Sequence, residues 1–261
     1  MRSQAPPDDW IAVHRARWVH KPSLRDVYGR WFMALRQACT GAPIVELGCG
    51  PGFFKERYPD VIATDAVVNP HADAVVEAAA LPFGDGQVGS LVLLDVFHHL
   101  PWPAAFLEEA ARVLRPGGRL AMLEPWVGIT GRVFYRWVHH EDCDLRVDPA
   151  APWGDDSKGA MEGNAALPYL YFRAGGHLER AELPLRVVRR EPFAALPWLL
   201  SGGFQPYGLL PRSLLPAAER LDRILSRAPA LTALRCLLVI ERAPLHERPA
   251  SSAPEGDWRA R

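Results

Sequence analysis

The sequence is poor in the features that would commit it to several large functional classes. Its four cysteines, Cys39, Cys49, Cys143 and Cys236, stand far apart with no CxxC pair, which excludes a zinc knuckle or a disulfide framework as the organising device. Lysine occurs only three times, at Lys21, Lys55 and Lys158, and 30 basic residues are balanced by 30 acidic ones. With a formal net charge of zero, no global field draws the chain to nucleic acid or to an anionic membrane. No run of about 18 apolar residues could span a bilayer. The opening residues, Met1 to Asp9, are polar and Pro-rich, unlike a secretory leader. These absences predict a cytoplasmic protein without a transmembrane segment and with no nucleic acid as its main partner. Peripheral membrane contact and oligomeric state stay open.

What is present is an ordinary globular balance, 49% hydrophobic and 23% charged over 261 residues, enough for one large domain with insertions. From Trp10 to Ala38 apolar and aromatic residues recur at helical spacing, interrupted at Pro22-Ser23, where Ser23 is the expected N-cap. Beyond Gly41, short apolar segments alternate with helical ones. Ile44–Leu47, Val61–Thr64, Ala74–Val76, Ser90–Val96 and Arg119–Leu123 read as strands. Phe53–Tyr58 and Pro103–Leu114 read as helices. Strands this short and this apolar indicate a parallel sheet covered on both faces. Right-handed crossovers then give an α/β, Rossmann-like, doubly wound sheet that binds ligands at the carboxyl ends of its strands. Past Pro125 a helix is expected from Trp126 to His140, then a long loop over 144–166. Strands follow at Leu185–Arg190 and Leu234–Glu241, on either side of a helical region from Leu196 to Arg227.

The segment Val45-Glu-Leu-Gly-Cys-Gly-Pro-Gly52 joins a strand to a helix. Its glycines allow a sharp turn and a close ligand approach that a Cβ would block, and a helix start offers unpaired N–H groups to an anionic group. Asp65 closes the next strand 17 residues beyond Gly48, where a carboxylate can accept hydrogen bonds from both ribose hydroxyls. Glu46 occupies a place where a nicotinamide-binding fingerprint carries an apolar residue or its first glycine. Together they imply a nucleoside with a charged, amino-acid-like tail rather than a pyrophosphate.

At these residues the sequence resembles the class I S-adenosylmethionine-dependent methyltransferases, in the small-molecule branch similar to ubiquinone and menaquinone biosynthesis methyltransferases. The resemblance covers Ile44 to Pro125. Its blocks are Glu46–Gly52, Asp65, Ala80-Leu-Pro-Phe83 with Asp85, His98-His-Leu100, and Arg112-Val-Leu-Arg-Pro-Gly-Gly118. It implies a seven-stranded, mostly parallel sheet, S-adenosyl-L-methionine as cofactor, and methyl transfer to a small-molecule acceptor that is lipid-like, quinone-like or a glycan. Glu46, Gly48, Cys49, Gly50 and Gly52 would hold the amino-acid end of the cofactor. Asp65, with Ala66 beside it, would hold the ribose. Glu77, one methylene longer than the Asp of relatives, and the backbone of Ala78 would meet the adenine, and Leu94 and Asp95 would line the methionine end.

The implied organisation is a disordered lead (1–9), an N-terminal helical lid (10–40) and a methyltransferase domain (41–243), followed by a disordered tail (244–261). Within the domain, 44–125 is the family-like core and 126–230 holds acceptor-site insertions. Tyr28 and Trp31 are candidate lid linings. Phe193–Leu215 would be an acceptor channel, an interfacial surface or core.

A proton-bearing acceptor needs a base, and His98 and His99, just past the fourth strand, are the candidates. Neighbouring helical residues point about 100° apart, so only one should face the pocket; the expectation leans to His99. His139-His-Glu-Asp-Cys-Asp144 has metal-ligand residue types without the i, i+4 histidine spacing, and no metal is expected. The alternatives are an NAD(P)-dependent reductase, disfavoured by Glu46 and by the missing GxGxxG spacing, and a non-catalytic cofactor-binding protein.

Overall fold

Apolar segments cut short by Gly, Pro and Asp form the seven strands of one sheet in the computed structural model, which describes residues 10–137, 142–152 and 163–244. The expected lead, the tail from 245 onward, His139 to Glu141 and the middle of the 144–166 loop lie outside the described residues. The strands are β1 (Ile44–Leu47), β2 (Ile62–Asp65), β3 (Ala74–Val75), β4 (Val88–Leu94), β5 (Leu114–Pro125), β6 (Leu185–Phe193) and β7 (Arg235–Arg242). The helices are α1 (Trp10–His20), α2 (Pro22–Ala38), α3 (Phe53–Arg57), α4 (Pro103–Val113), α5 (Ile129–Trp137), α6 (Leu167–Phe172), α7 (His177–Arg180), α8 (Leu196–Ser201), α9 (Leu215–Leu225) and α10 (Pro229–Thr232).

The strand order is β3-β2-β1-β4-β5-β7-β6. The first five strands are mutually parallel, and β7 runs antiparallel to both β5 and β6. Period-two alternation sorts the central strands into two cores. Val45, Leu47, Leu91, Leu93, Leu120, Met122 and Leu238 face α4 and α6. Ile44, Val92, Ala121, Leu123, Leu237 and Val239 face α2, α3 and α8. Glu46 is the exception: a carboxylate in the alternation of an otherwise apolar strand, on the α2 face.

Register assembles the functional edge. Leu47 pairs with Leu93, Leu94 with Leu123, and Pro125 with Arg235. The carboxyl ends of β1, β4 and β5 therefore stop together, and antiparallel β7 begins where they stop.

Four local expectations shift. Pro22 starts α2 and Lys21 takes the cap position, so Ser23 lies inside the first turn and donates its hydroxyl to the Leu210 carbonyl at 2.7 Å. Strand β4 ends at Leu94 because Asp95 adopts φ 58°, and His98 and His99 ride a 3₁₀ turn, Phe97–His99, rather than an α-helix. Strand β5 starts before the Arg115-Pro-Gly-Gly118 block, which it absorbs beside a register irregularity at Val88/Ser90. The region 196–227 is broken into α8, a 3₁₀ turn at Arg212–Leu214 and α9, with Gly202 and Gly203 at positive φ in the break.

Candidate active site

The turn after β1 needs glycine for two separate reasons. Gly48, Gly50 and Gly52 have φ of 66°, 49° and 77°, a region costly for residues with a Cβ. A Cβ on Gly48 would also come within 2.6 Å of Val96 Cγ2, and one on Gly52 within 2.7 Å of His71 Cβ. The bend is anchored from the next strand. Asp65 Oδ2 accepts the Gly50 N–H at 3.1 Å and the Asn69 side-chain amide at 2.8 Å, and Asn69 also donates to the Gly50 carbonyl at 2.8 Å. Asp65 is thus a clamp on the turn through one oxygen. Its Oδ1 has no partner among the described residues.

Glu46, buried under this turn, has an Oε2 without a hydrogen-bond partner. Burial, then the nearby Asp65 charge, push its carboxyl up to about 8, against a smaller downward pull from Lys55. A buried carboxylate oxygen with no donor is costly, and a cation placed beside it would remove that cost. The Cys49 thiol is pushed up by burial and by the Glu46 and Asp65 carboxylates, so it remains protonated and is no nucleophile.

At the end of β4 and β5 a second polar group is buried. Glu124 Oε1 accepts the N–H groups of Val96 and Phe97 at 2.9 and 2.8 Å, and its Oε2 lies 2.6 Å from His98 Nδ1. Asp95 pairs through Oδ1 with the guanidinium of Arg235, a side chain buried in the box formed with Trp198 and Trp31. Asp95, His98 and Glu124 together carry metal-ligand atoms within 4.8 Å of one another. Their geometry is that of a hydrogen-bond network, since a 2.6 Å contact between His98 and Glu124 is too short for both to bind one ion at about 2.0–2.2 Å in tetrahedral geometry.

These groups open into one cavity of about 650 Å³, a size suited to small-molecule ligands. Eight of the sequence-predicted residues line it: Glu46, Gly48, Cys49, Gly50, Leu94, Asp95, His98 and His99. Gly52 lies just behind, with Pro51 and Phe53 in the wall. Asp65 reaches the site through Gly50, whereas Ala66 and Glu77 are exposed outside the cavity and the Ala78 side chain is buried in the α4-side core. Of the expected lid residues, Tyr28 lines the cavity and Trp31 backs it from behind Arg235.

Residues of the expected lid and of the Phe193–Leu215 segment, not singled out one by one in the sequence, complete the wall together with Arg235. From α1 come Trp10, whose ring sits over Gly50, and His14, stacked on Phe204 at 4.3 Å. Arg17, Trp198, Phe204 and Arg235 also contribute. Arg235 carried one signal, as a charged residue opening an apolar strand.

Part of the chain is similar to known proteins. The family description "Methyltransferase domain" matches residues 45–122. An "Uncharacterized methyltransferase" of Mycobacterium avium is 32% identical over 119 residues, which cover 39% of this chain and 47% of that one. A Mycolicibacterium smegmatis protein described as "Probable S-adenosylmethionine-dependent methyltransferase" is 32% identical over 108 residues, 36% of this chain and 42% of that one. The chain thus spans less than half the length of these relatives. Among solved structures, the geranyl diphosphate C-methyltransferase of Streptomyces coelicolor is similar at 12% identity and a TM-score of 0.47, over 82% of this chain and 76% of that one. The matched segment, 45–122, holds the glycine turn and most of the parallel strands, and it is similar to a methyltransferase domain.

Proposed function

We propose that the chain moves a methyl group from S-adenosyl-L-methionine to a small organic acceptor held in the cavity beside Asp95 and His98. Glu46 carries the reading. A buried carboxylate with an orphaned oxygen, set against a left-handed glycine turn, fits the cationic amino group at the cofactor's amino-acid end. The backbone of Gly48, Cys49, Gly50 and Gly52 borders that end, and Leu94 and Asp95 border the sulfur. Asp65 takes a ribose hydroxyl with the oxygen its clamp leaves over. Ala66, Glu77 and Ala78 border the nucleoside along the edge outside the cavity.

The cofactor supplies an activated methyl carbon for in-line displacement, so the protein has to position, dry and deprotonate the acceptor. Orientation of this kind supplies up to about 7–11 kcal/mol of a barrier. The aromatic walls exclude water. For an acceptor that carries a proton, His98 is the better-placed base: Glu124 holds its Nδ1, which assigns the proton to Nδ1 and the lone pair to Nε2. His99 lines the same cavity. On this reading residues 10–40 cover the site, 41–243 form the domain and 126–230 select the acceptor. Four unpaired cysteines fit a reducing compartment, and we place the reaction in the cytoplasm.

Calorimetry tests the reading. S-adenosylhomocysteine should bind and NADPH should not, and binding of NADPH alone would refute the proposal. Asp65→Ala should weaken S-adenosylhomocysteine by about 1.5–3 kcal/mol, the size of a lost set of charged hydrogen bonds. His98→Ala should keep that affinity and slow turnover of a protic acceptor by about 10²–10⁴.

A further inference from the structure

The cavity holds a buried cation that cofactor binding does not explain. Arg235 opens β7 at the edge where β4 and β5 end, and its side chain is only 4% exposed. Its guanidinium lies 4.3 Å from the Trp198 ring centroid and 5.9 Å from that of Trp31. Burial lowers its affinity for a proton, yet only to about 10, so it stays charged near neutral pH. One carboxylate, Asp95, engages Nη1. Nε is buried with no partner among the described residues.

A guanidinium presents five N–H donors in a planar fork. Stacking on Trp198 fixes the plane of that fork, and Asp95 occupies one corner, which leaves the Nε edge unsatisfied. Planar, two-oxygen anions match such an edge better than any neutral group does. The rest of the wall gives no support for a highly charged ligand. On the side of Trp198 it is apolar, with Phe134, Leu199 and Phe204, and it ends at Tyr207 and Leu209, which are 65% and 77% exposed. A cation at the closed end and apolar groups at the open end describe an amphiphile entering head first.

We infer that Arg235 is the head-group subsite for the acceptor, and that the acceptor is an apolar, ring-bearing carboxylic acid whose carboxylate docks on the Nε edge of Arg235 within the Trp198–Trp31 box. The word acceptor rests on the methyltransferase reading; the acid site itself does not. Arg17 also lines the cavity and donates through Nη1 to the Phe204 carbonyl, which gives it a part in holding the wall.

The test uses 2-naphthoate and its neutral counterpart 2-naphthalenemethanol, with binding followed by quenching of tryptophan fluorescence and by calorimetry on the full chain. Wild-type protein should bind the naphthoate at least tenfold more tightly than the alcohol. Arg235→Gln should bring the two within threefold of each other, while Arg17→Gln keeps the preference. Arg235→Lys retains a charge to pair with Asp95 but loses the fork, and its preference should also fall below threefold; it decides the matter if the Gln variant does not fold. Equal binding of the two probes by wild-type protein overturns the inference, as does a preference that survives both Arg235 substitutions. S-adenosylhomocysteine binding is measured in parallel. Its loss with the acid preference intact defeats the methyltransferase reading alone, and its presence without that preference defeats the inference alone.

Discussion

Glu46 is where the chemistry of a single residue can be read most directly. Its carboxyl is held up to about 8 by burial first and by the Asp65 charge second. In the free protein at pH 7 it is therefore mostly protonated. An ammonium group brought against its orphaned oxygen favours the ionised form, so binding of S-adenosylhomocysteine should expel that proton. Calorimetric titrations in buffers of different ionisation enthalpy should count a net release of up to one proton at pH 7, falling away as pH rises well above 8. Glu46→Gln should abolish the release at every pH. Release that is unchanged in the Gln variant would assign it to another group. The same shift has a stability sign. Because the folded state binds the proton more tightly than the unfolded chain, Glu46 makes the unliganded fold less stable as pH climbs from the ordinary carboxylate range to about 8.

At the scale of elements, the cover of the cavity is made by two segments that are distant in sequence. Helix α1 has no fully buried residue, so it is held by edge contacts. Arg15 donates to the Pro51 carbonyl at 2.6 Å, Trp18 stacks on Phe53 at 4.0 Å, and His14 stacks on Phe204. Where α1 meets α2, the Lys21 ammonium donates to the carbonyls of Ser201, Gly203 and Tyr207 at 2.9, 2.8 and 2.6 Å, which fastens the start of the chain to the break after α8. Few buried apolar contacts and many edge hydrogen bonds mark the low-stability end of a structure, from which moving covers are drawn. His14 gives this cover a pH dependence. Burial, then Arg17, hold the imidazole down to about 4 when α1 is docked, against about 6.5 when it is solvated. The undocked form thus binds the proton better. Docking should be independent of pH above about 6.5 and weaken progressively as pH falls toward 4. Hydrogen exchange over residues 10–20, compared at matched pH with His14→Phe, should show protection lost on acidification only in the wild type.

The whole molecule explains what could be read in advance. The half of the site built by consecutive strands was legible, because the glycine turn, Asp65, Asp95 and His98 each sit where a strand stops, and strand ends are punctuated in sequence. The sheet class followed from the same punctuation. The other half depends on which distant segments meet. Arg235 reaches the site because antiparallel β7 starts where β5 ends, and Phe204 because Lys21 gathers the 201–207 carbonyls. Periodicity along the chain carries neither fact. His98 and His99 were both legible as residue types, whereas the pairing of His98 with Glu124, 26 residues away, was not. Ser23 was misplaced by two positions because proline at N1 outranked the hydroxyl as a helix-start signal.

A site assembled from α1, β1, β4, the break after α8 and the first residue of β7 ties ligand occupancy to the cohesion of the entire chain. A ligand that binds only when these segments are together should stabilise all of them at once. At about 100 times its dissociation constant, S-adenosylhomocysteine contributes about 2.7 kcal/mol. For a domain of this size each kcal/mol shifts Tm by roughly 2–4 °C, so the melting temperature should rise by about 5–10 °C. In Arg235→Gln the rise should persist, because the proposal assigns the amino-acid and ribose contacts to other residues, while in Glu46→Gln it should shrink. A large rise confined to Glu46→Gln, with none in the wild type, would mean that the buried carboxylate opposes the ligand, and the assignment of Glu46 to the cofactor's ammonium would then be wrong.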